Sequence, residues 1–107
     1  MVIRGEVWWA RVPGDKRRPY LVLTRDGAIP VLSRVICVPT TKTMRGLDSE
    51  VDLDEDDGMP AACALSLDNI VTLPQAALEQ RICALRPERM QAVCTALAHA
   101  TGCAGAH

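Results

Sequence analysis

Two arginines stand side by side at the foot of an apolar run, Arg17-Arg18-Pro19-Tyr20-Leu21-Val22-Leu23-Thr24. A guanidinium stays charged at any ordinary pH and offers paired N–H donors that match two oxygens of one phosphate. Pro19 has no N–H for a sheet ladder and suits a strand start, and the run after it reads as a buried strand. The stretch therefore holds a guanidinium at the mouth of a rigid element, where a phosphate-binding site wants one. The charge around it is uneven. Residues 1–45 carry nine Lys/Arg against three acids, including Lys16, Lys42 and Arg45, and residues 46–58 carry seven acids and no base. A net charge of −1 thus conceals a local basic patch. A solvated surface with accidental clustering would carry the same charges.

The elements that must position these arginines follow in order. Glu6–Val12 reads as a first strand after Gly5, with Trp8 and Trp9 pointing to opposite faces, one of them in the core. Pro13-Gly14-Asp15-Lys16 is a turn that returns the chain as an antiparallel partner over Pro19–Thr24. Arg34–Pro39 is a third strand, apolar enough to be central and ended by its proline, and Thr40–Gly46 is a polar loop with three hydroxyls and two bases. Glu50–Leu53 alternates as a half-exposed strand, and Asp54–Gly58 is an extended, solvated acidic loop. Further strand-like pieces are Cys63–Leu67, Asn69–Leu73 and Arg81–Leu85, with a helical turn over 74–78. From Pro87 the period becomes 3.6: Met90, Val93, Cys94, Leu97 and Thr101 form one stripe of a helix over 87–101, started by Pro87 and stopped by Gly102.

The 107 residues suit a single domain spanning 1–107, mainly β: a curled antiparallel sheet or barrel closed by a C-terminal helix. At 49% hydrophobic, with no Phe, the core must be built from aliphatic residues and cysteine. The five cysteines are odd in number and lack a C-x-x-C pair, which fits reduced core thiols in a cytoplasmic protein better than a zinc or disulfide framework. No run reaches the length of a membrane span, and no metal-ligand cluster is evident.

Several short motifs, in order, then resemble the MazF/PemK/Kid family of toxin endoribonucleases. They are Arg4-Gly5-Glu6-Val7-Trp8, Arg18-Pro19, Val38-Pro39-Thr40-Thr41, Asp68-Asn69, and Gln80-Arg81-Ile82 before the final helix. Each is weak alone; their order and spacing across nearly the whole chain make the match. The resemblance implies an SH3-like, plasmid-maintenance-toxin barrel that forms homodimers. It also implies cutting of single-stranded RNA at short motifs without a cofactor or metal, and inhibition by a cognate MazE-like antitoxin. Cleavage would follow attack by the ribose 2′-hydroxyl, leaving a 2′,3′-cyclic phosphate and a 5′-hydroxyl. The family's catalytic arginine falls on Arg18 and its threonine on Thr41, with Thr40 one residue away in an ambiguous alignment. Its acid-and-amide pair falls on Asp68 and Asn69.

A fixed guanidinium and a neutral hydroxyl are the donors that a charged five-coordinate phosphorus needs. Proton transfer needs another group, since arginine is a poor base. Glu6 and Asp15 are the nearest carboxylates in sequence, either as base or as orienting partner; Glu6 is grouped with the catalytic residues, whereas Asp15 reads first as an ordinary turn residue. Lys16, Arg17, Lys42 and Arg45 are candidate phosphate contacts, and Asn69 a base reader. A same-fold toxin that docks on DNA gyrase without hydrolysis is the alternative. It needs a specific C-terminal anchor, and the tail after Gly102 carries none evident.

Overall fold

The computed structural model describes residues 1–103. Seven strands, β1 (Glu6–Ala10), β2 (Arg18–Val22), β3 (Arg34–Thr41), β4 (Glu50–Leu53), β5 (Cys63–Ser66), β6 (Val71–Pro74) and β7 (Leu78–Ala84), precede one helix, α1 (Pro87–Thr101). All pairings are antiparallel, in the order β4-β5-β3-β2-β1-β7, and β6 also lies on β3. The curled, mainly β fold with a C-terminal helix is the expected one. The helix matches the expected bounds, Pro87 to Thr101, with Gly102 at φ +75° as its left-handed stop.

β3 is the pivot. Its first four residues pair with β6, Cys37 to Pro39 pair with β2 on the other edge, and Thr40 and Thr41 pair with β5. The expected stop at Pro39 does not occur. Proline forfeits a donor, but a second neighbour, β5, takes up the ladder at the next residue, so the strand runs on through Thr41. The polar loop accordingly starts two residues later than its composition suggests.

Both faces of the sheet are covered, which is why its strands read as apolar runs rather than strict alternations. On one face Val7, Leu21, Val38, Leu53 and Leu65 pack with Met90, Val93 and Ala96 of α1. On the other, Tyr20, Val22, Val35 and Cys37 pack with Ile29, Leu73 and Leu78. Burial pushes the Cys37 thiol up to about 12 and the Cys63 thiol up to about 11, so these core cysteines stay protonated. Two expectations need correction. Cys94 is exposed, and the buried stripe of α1 runs through Met90, Val93 and Ala96 instead. Neither tryptophan is fully buried: Trp8 leans on the second core, and Trp9 lies under the Arg17 guanidinium, 4.7 Å from its ring centroid.

The acidic segment is a capped turn rather than the extended loop expected. Asp54 accepts from the Asp56 amide, Asp57 accepts from the Asp54 amide in a reciprocal capping arrangement, and Gly58 closes the turn at φ +97°. The Asp57 side chain is 2% exposed and takes Arg89 Nε of α1 at 2.9 Å, so this turn docks the helix. Burial alone would raise the Asp57 pKa; the Arg89 guanidinium and the Asp54 amide outweigh it and hold the carboxyl below its ordinary value. A depressed folded pKa contributes stability that is complete above the unfolded value, near 3.9, and is lost as pH falls through the folded one. Melting temperature should therefore drop below about pH 4. Asp57→Asn should cost about 1.5–3 kcal/mol at neutral pH and flatten that acid limb. An unchanged limb in the variant would assign it to other groups.

Candidate active site

β2 and β3 build the site by register. The β2–β3 ladder ends at Tyr20 opposite Pro39, and just beyond it Arg18 on β2 and Thr41 on β3 line the same cleft. Arg18 is held from two directions: one terminal nitrogen donates to the Thr40 carbonyl at 3.1 Å, and the other pairs with Asp15 Oδ1 at 2.8 Å. Its Nε is buried and has no partner among the described residues. A buried, unmatched guanidinium donor is costly unless a ligand completes it, and an anionic oxygen is the complement.

The two neighbouring threonines differ. The Thr40 hydroxyl is buried and donates to the Pro19 carbonyl at 3.0 Å. Thr41 is half-buried, and its hydroxyl oxygen accepts from the Thr43 amide at 3.1 Å, leaving the O–H without a protein acceptor among the described residues. Thr41 can thus donate outward, whereas Thr40 is engaged in joining β2 to β3.

Arg18 and Thr41 open on a cleft of about 950 Å³. Arg11, Arg34 and Arg45 share it, against two carboxylates, Asp15 and Asp68. Four guanidiniums facing two acids make a locally cationic groove on a chain of net charge −1. Asp15 is the carboxylate in contact with Arg18. The Lys16 amide, then the Arg18 guanidinium, hold its pKa below the ordinary carboxylate range. Tyr20 also lines the cleft; burial, with Asp15 nearby, raises its phenol, which remains a neutral donor. Asp68 accepts from the Ser49 hydroxyl, and the Asn69 amide nitrogen donates to Ser66 Oγ at 2.7 Å, leaving the Asn69 side-chain oxygen without a partner among the described residues. Both residues are exposed on the cleft.

Of the other residues singled out in the sequence, Lys16 and Lys42 line a smaller cleft on the far side of Arg18. Arg17 lies there too but is tied to Glu79 at 3.0 Å and to the Trp9 ring, so it is less free to meet a phosphate. Arg45 reaches the large cleft while its amide is fixed by Glu50 at 2.9 Å.

Glu6 is not brought to the site. β1 pairs with β2 through Ala10 and Arg18, which leaves Glu6 four residues, or about 13 Å, along the strand. Its carboxylate is nearly buried and already accepts from the Ile3 amide (2.8 Å), the Trp8 indole (3.1 Å) and Arg81 Nε (2.7 Å). Burial raises its pKa, but the three donors together hold it below the ordinary value. It is a structural anion joining β1 to β7. Arg11 and Arg34 are the residues that sequence reasoning passed over. Neither sits in a motif, and only the register shows that Arg11 follows the partner of Arg18 and that Arg34 stands opposite Pro74 on the cleft wall.

Comparison with known proteins agrees with this architecture. Residues 3–101 match the family described as PemK-like, MazF-like toxin of type II toxin–antitoxin system. The chain is 46% identical over 101 residues to the Probable endoribonuclease MazF5 of Mycobacterium tuberculosis, covering 94% of this chain and 93% of that one. It is 44% identical over 101 residues to the Probable endoribonuclease MazF2 of the same organism, covering 94% and 98%. Among solved structures, Mycobacterium tuberculosis toxin MazF-mt6 superposes with a TM-score of 0.83 at 34% identity, over 91% of this chain and 96% of that one. A mycobacterial endoribonuclease in complex with its cognate antitoxin superposes at 0.86, with 26% identity and coverage of 95% and 96%.

Proposed function

The chain belongs to the PemK-like, MazF-like toxins of type II toxin–antitoxin systems, and from that premise we propose that it is an endoribonuclease cutting single-stranded RNA at short sequence motifs. It acts in the cytoplasm as a homodimer and is silenced by a MazE-like antitoxin. Exposed Val31, Leu32, Ile36 and Val71 offer apolar surface for a second copy. The observation that carries the reading is Arg18, whose buried Nε lacks a partner among the described residues, beside Thr41, whose O–H has no protein acceptor among them, on the same cationic cleft.

The chemistry is transesterification. The 2′-hydroxyl oxygen attacks the adjacent phosphorus, the bond to the 5′ oxygen breaks, and the products are a 2′,3′-cyclic phosphate and a 5′-hydroxyl. Arg18 and Thr41 hold the two non-bridging oxygens as charge builds on them. Asp15 accepts the 2′-hydroxyl proton and aims Arg18 through their 2.8 Å contact, and the departing 5′ oxygen takes its proton from solvent water. Thr40 fixes the strands, Arg45 and Lys42 meet flanking phosphates, and Asp68 and Asn69 read base edges. Recognition rests on hydrogen bonds rather than aromatic platforms, since the chain has only three aromatic side chains of this kind.

Purified protein incubated with single-stranded RNA in EDTA should give fragments ending in cyclic phosphate and beginning with 5′-hydroxyl. Asp15→Asn should lower kcat by about 10²–10⁴-fold. Because the Asp15 pKa is depressed, it is ionised above its ordinary value of 3.8, and kcat should show no acid limb between pH 5 and 7. Fragments with 5′-phosphate ends would defeat the chemistry, and full kcat in the variant would remove Asp15 from it. No cutting, with gyrase inhibited instead, would favour the docking toxin.

A further inference from the structure

Arg18, Thr40 and Thr41 line a second cleft as well as the first. This one measures about 360 Å³, near the lower end of the roughly 300–1,000 Å³ range of ligand clefts. The three residues therefore form a ridge with a space on either side, and a strand whose scissile phosphate rests on the ridge must enter both. The two spaces differ in chemistry. The large cleft is walled by groups that can discriminate base edges: the Asp68 carboxylate, the Asn69 amide and the Ser66 and Thr72 hydroxyls. The small one has an apolar wall, Met59, Pro60, Ala61, Ala62 and Cys63, with Lys16, Lys42 and the Thr43 hydroxyl also lining it, and no carboxylate or amide side chain. Arg17, held over Trp9, lines it as well.

Resting on the ribonuclease reading, we propose that the small cleft seats one nucleotide of the RNA next to the cut and grips its base without identifying it, so that sequence selection lies on one side of the cleaved bond. Apolar walls and a guanidinium accept any base by packing and stacking, because all four have similar faces. Lys16 and Lys42 complement the phosphate that follows; as flexible point charges they set no base preference. Selection then falls to the large cleft, where a wrong base leaves hydrogen-bonding groups unpaired.

The test uses the native chain. Cut sites from a randomised RNA pool should align on a consensus confined to one side of the scissile bond. On the other side, exchange of the adjacent base among all four should change kcat/KM less than about threefold, yet removal of that base, keeping the ribose, should lower it about tenfold or more. Ala62→Trp, a substitution at an exposed position that fills the cleft, should reproduce the loss on intact RNA and abolish the difference between intact and base-free substrates. Asn69→Ala should alter the consensus on the selecting side. A consensus spread over both sides, or equal rates with and without the seated base, would overturn the proposal while leaving the ribonuclease reading intact. Absence of cutting in any RNA would overturn both.

Discussion

Arg18→Ala is expected to lower single-turnover RNA cleavage by about 10³-fold or more while leaving the protein folded. One preorganised donor is worth about 10²–10³ in rate, and on the proposed reading Arg18 offers its unpartnered Nε together with its positive charge. The residue that fixes it, Asp15, is exposed, so the ion pair adds little to stability, and the fold should survive the loss. Arg18→Lys separates charge from geometry. It keeps the cation but not the planar fork, and should recover only a small part of the rate. Circular dichroism and a melting curve on both variants check the fold. Cleavage within tenfold of the native rate in Arg18→Ala would remove this residue from the chemistry and with it the ridge between the two clefts.

The largest effect on stability should come from Gly58→Ala. Gly58 closes the acidic turn at φ +97°, and a Cβ built there would lie 2.7 Å from the Cys83 Cβ on β7. A side chain at positive φ costs about 1–2 kcal/mol, and forcing a methyl against a packed neighbour about 1–3 more. The clash is with the base of a side chain, which cannot swing aside. A loss of about 2–5 kcal/mol is expected in urea denaturation, a large share of the 5–15 kcal/mol that holds most domains folded. Cys83→Ala leaves Cβ in place and should not rescue it, whereas Cys83→Gly should recover part of the loss. A change below about 1 kcal/mol would mean that the turn moves freely, contrary to the docking of Asp57 on Arg89.

What the sequence disclosed, and what it did not, divides along physical lines. Pro87 and Gly102 bounded the helix because capping is local chemistry. Arg18 stood out because Pro19 marked a strand mouth, and the partner strand followed from the turn at 13–16. Glu6 was misleading for the opposite reason: closeness along the chain was taken for closeness in space, and an extended strand carries a residue away by about 3.3 Å per step. Asp15, three residues before Arg18 across a turn, was brought back to it. Arg11 and Arg34 were invisible because they reach the cleft through register, which no local pattern encodes. The acidic run was read as an extended, solvated loop, which misses that a capped turn gives Asp54 and Asp57 separate donors. Cys94 fitted the helical period yet faces out; the period fixes a stripe's spacing but leaves its centre open by one residue.

The position of β1 has a consequence for how such a chain is made. β1 lies between β2 and β7, so Val7 pairs with Leu21 on one edge and with Cys83 on the other, and Arg17 is anchored by Glu79. The helix that covers one core comes later still. A ribosome releases Arg18 and Thr41 well before the residues that close the sheet around them, and pairings between such distant segments form slowly. Arg18 and Thr41 of the cleft are thus synthesised in the first half of the chain, but the sheet that holds them in place is closed only by its last.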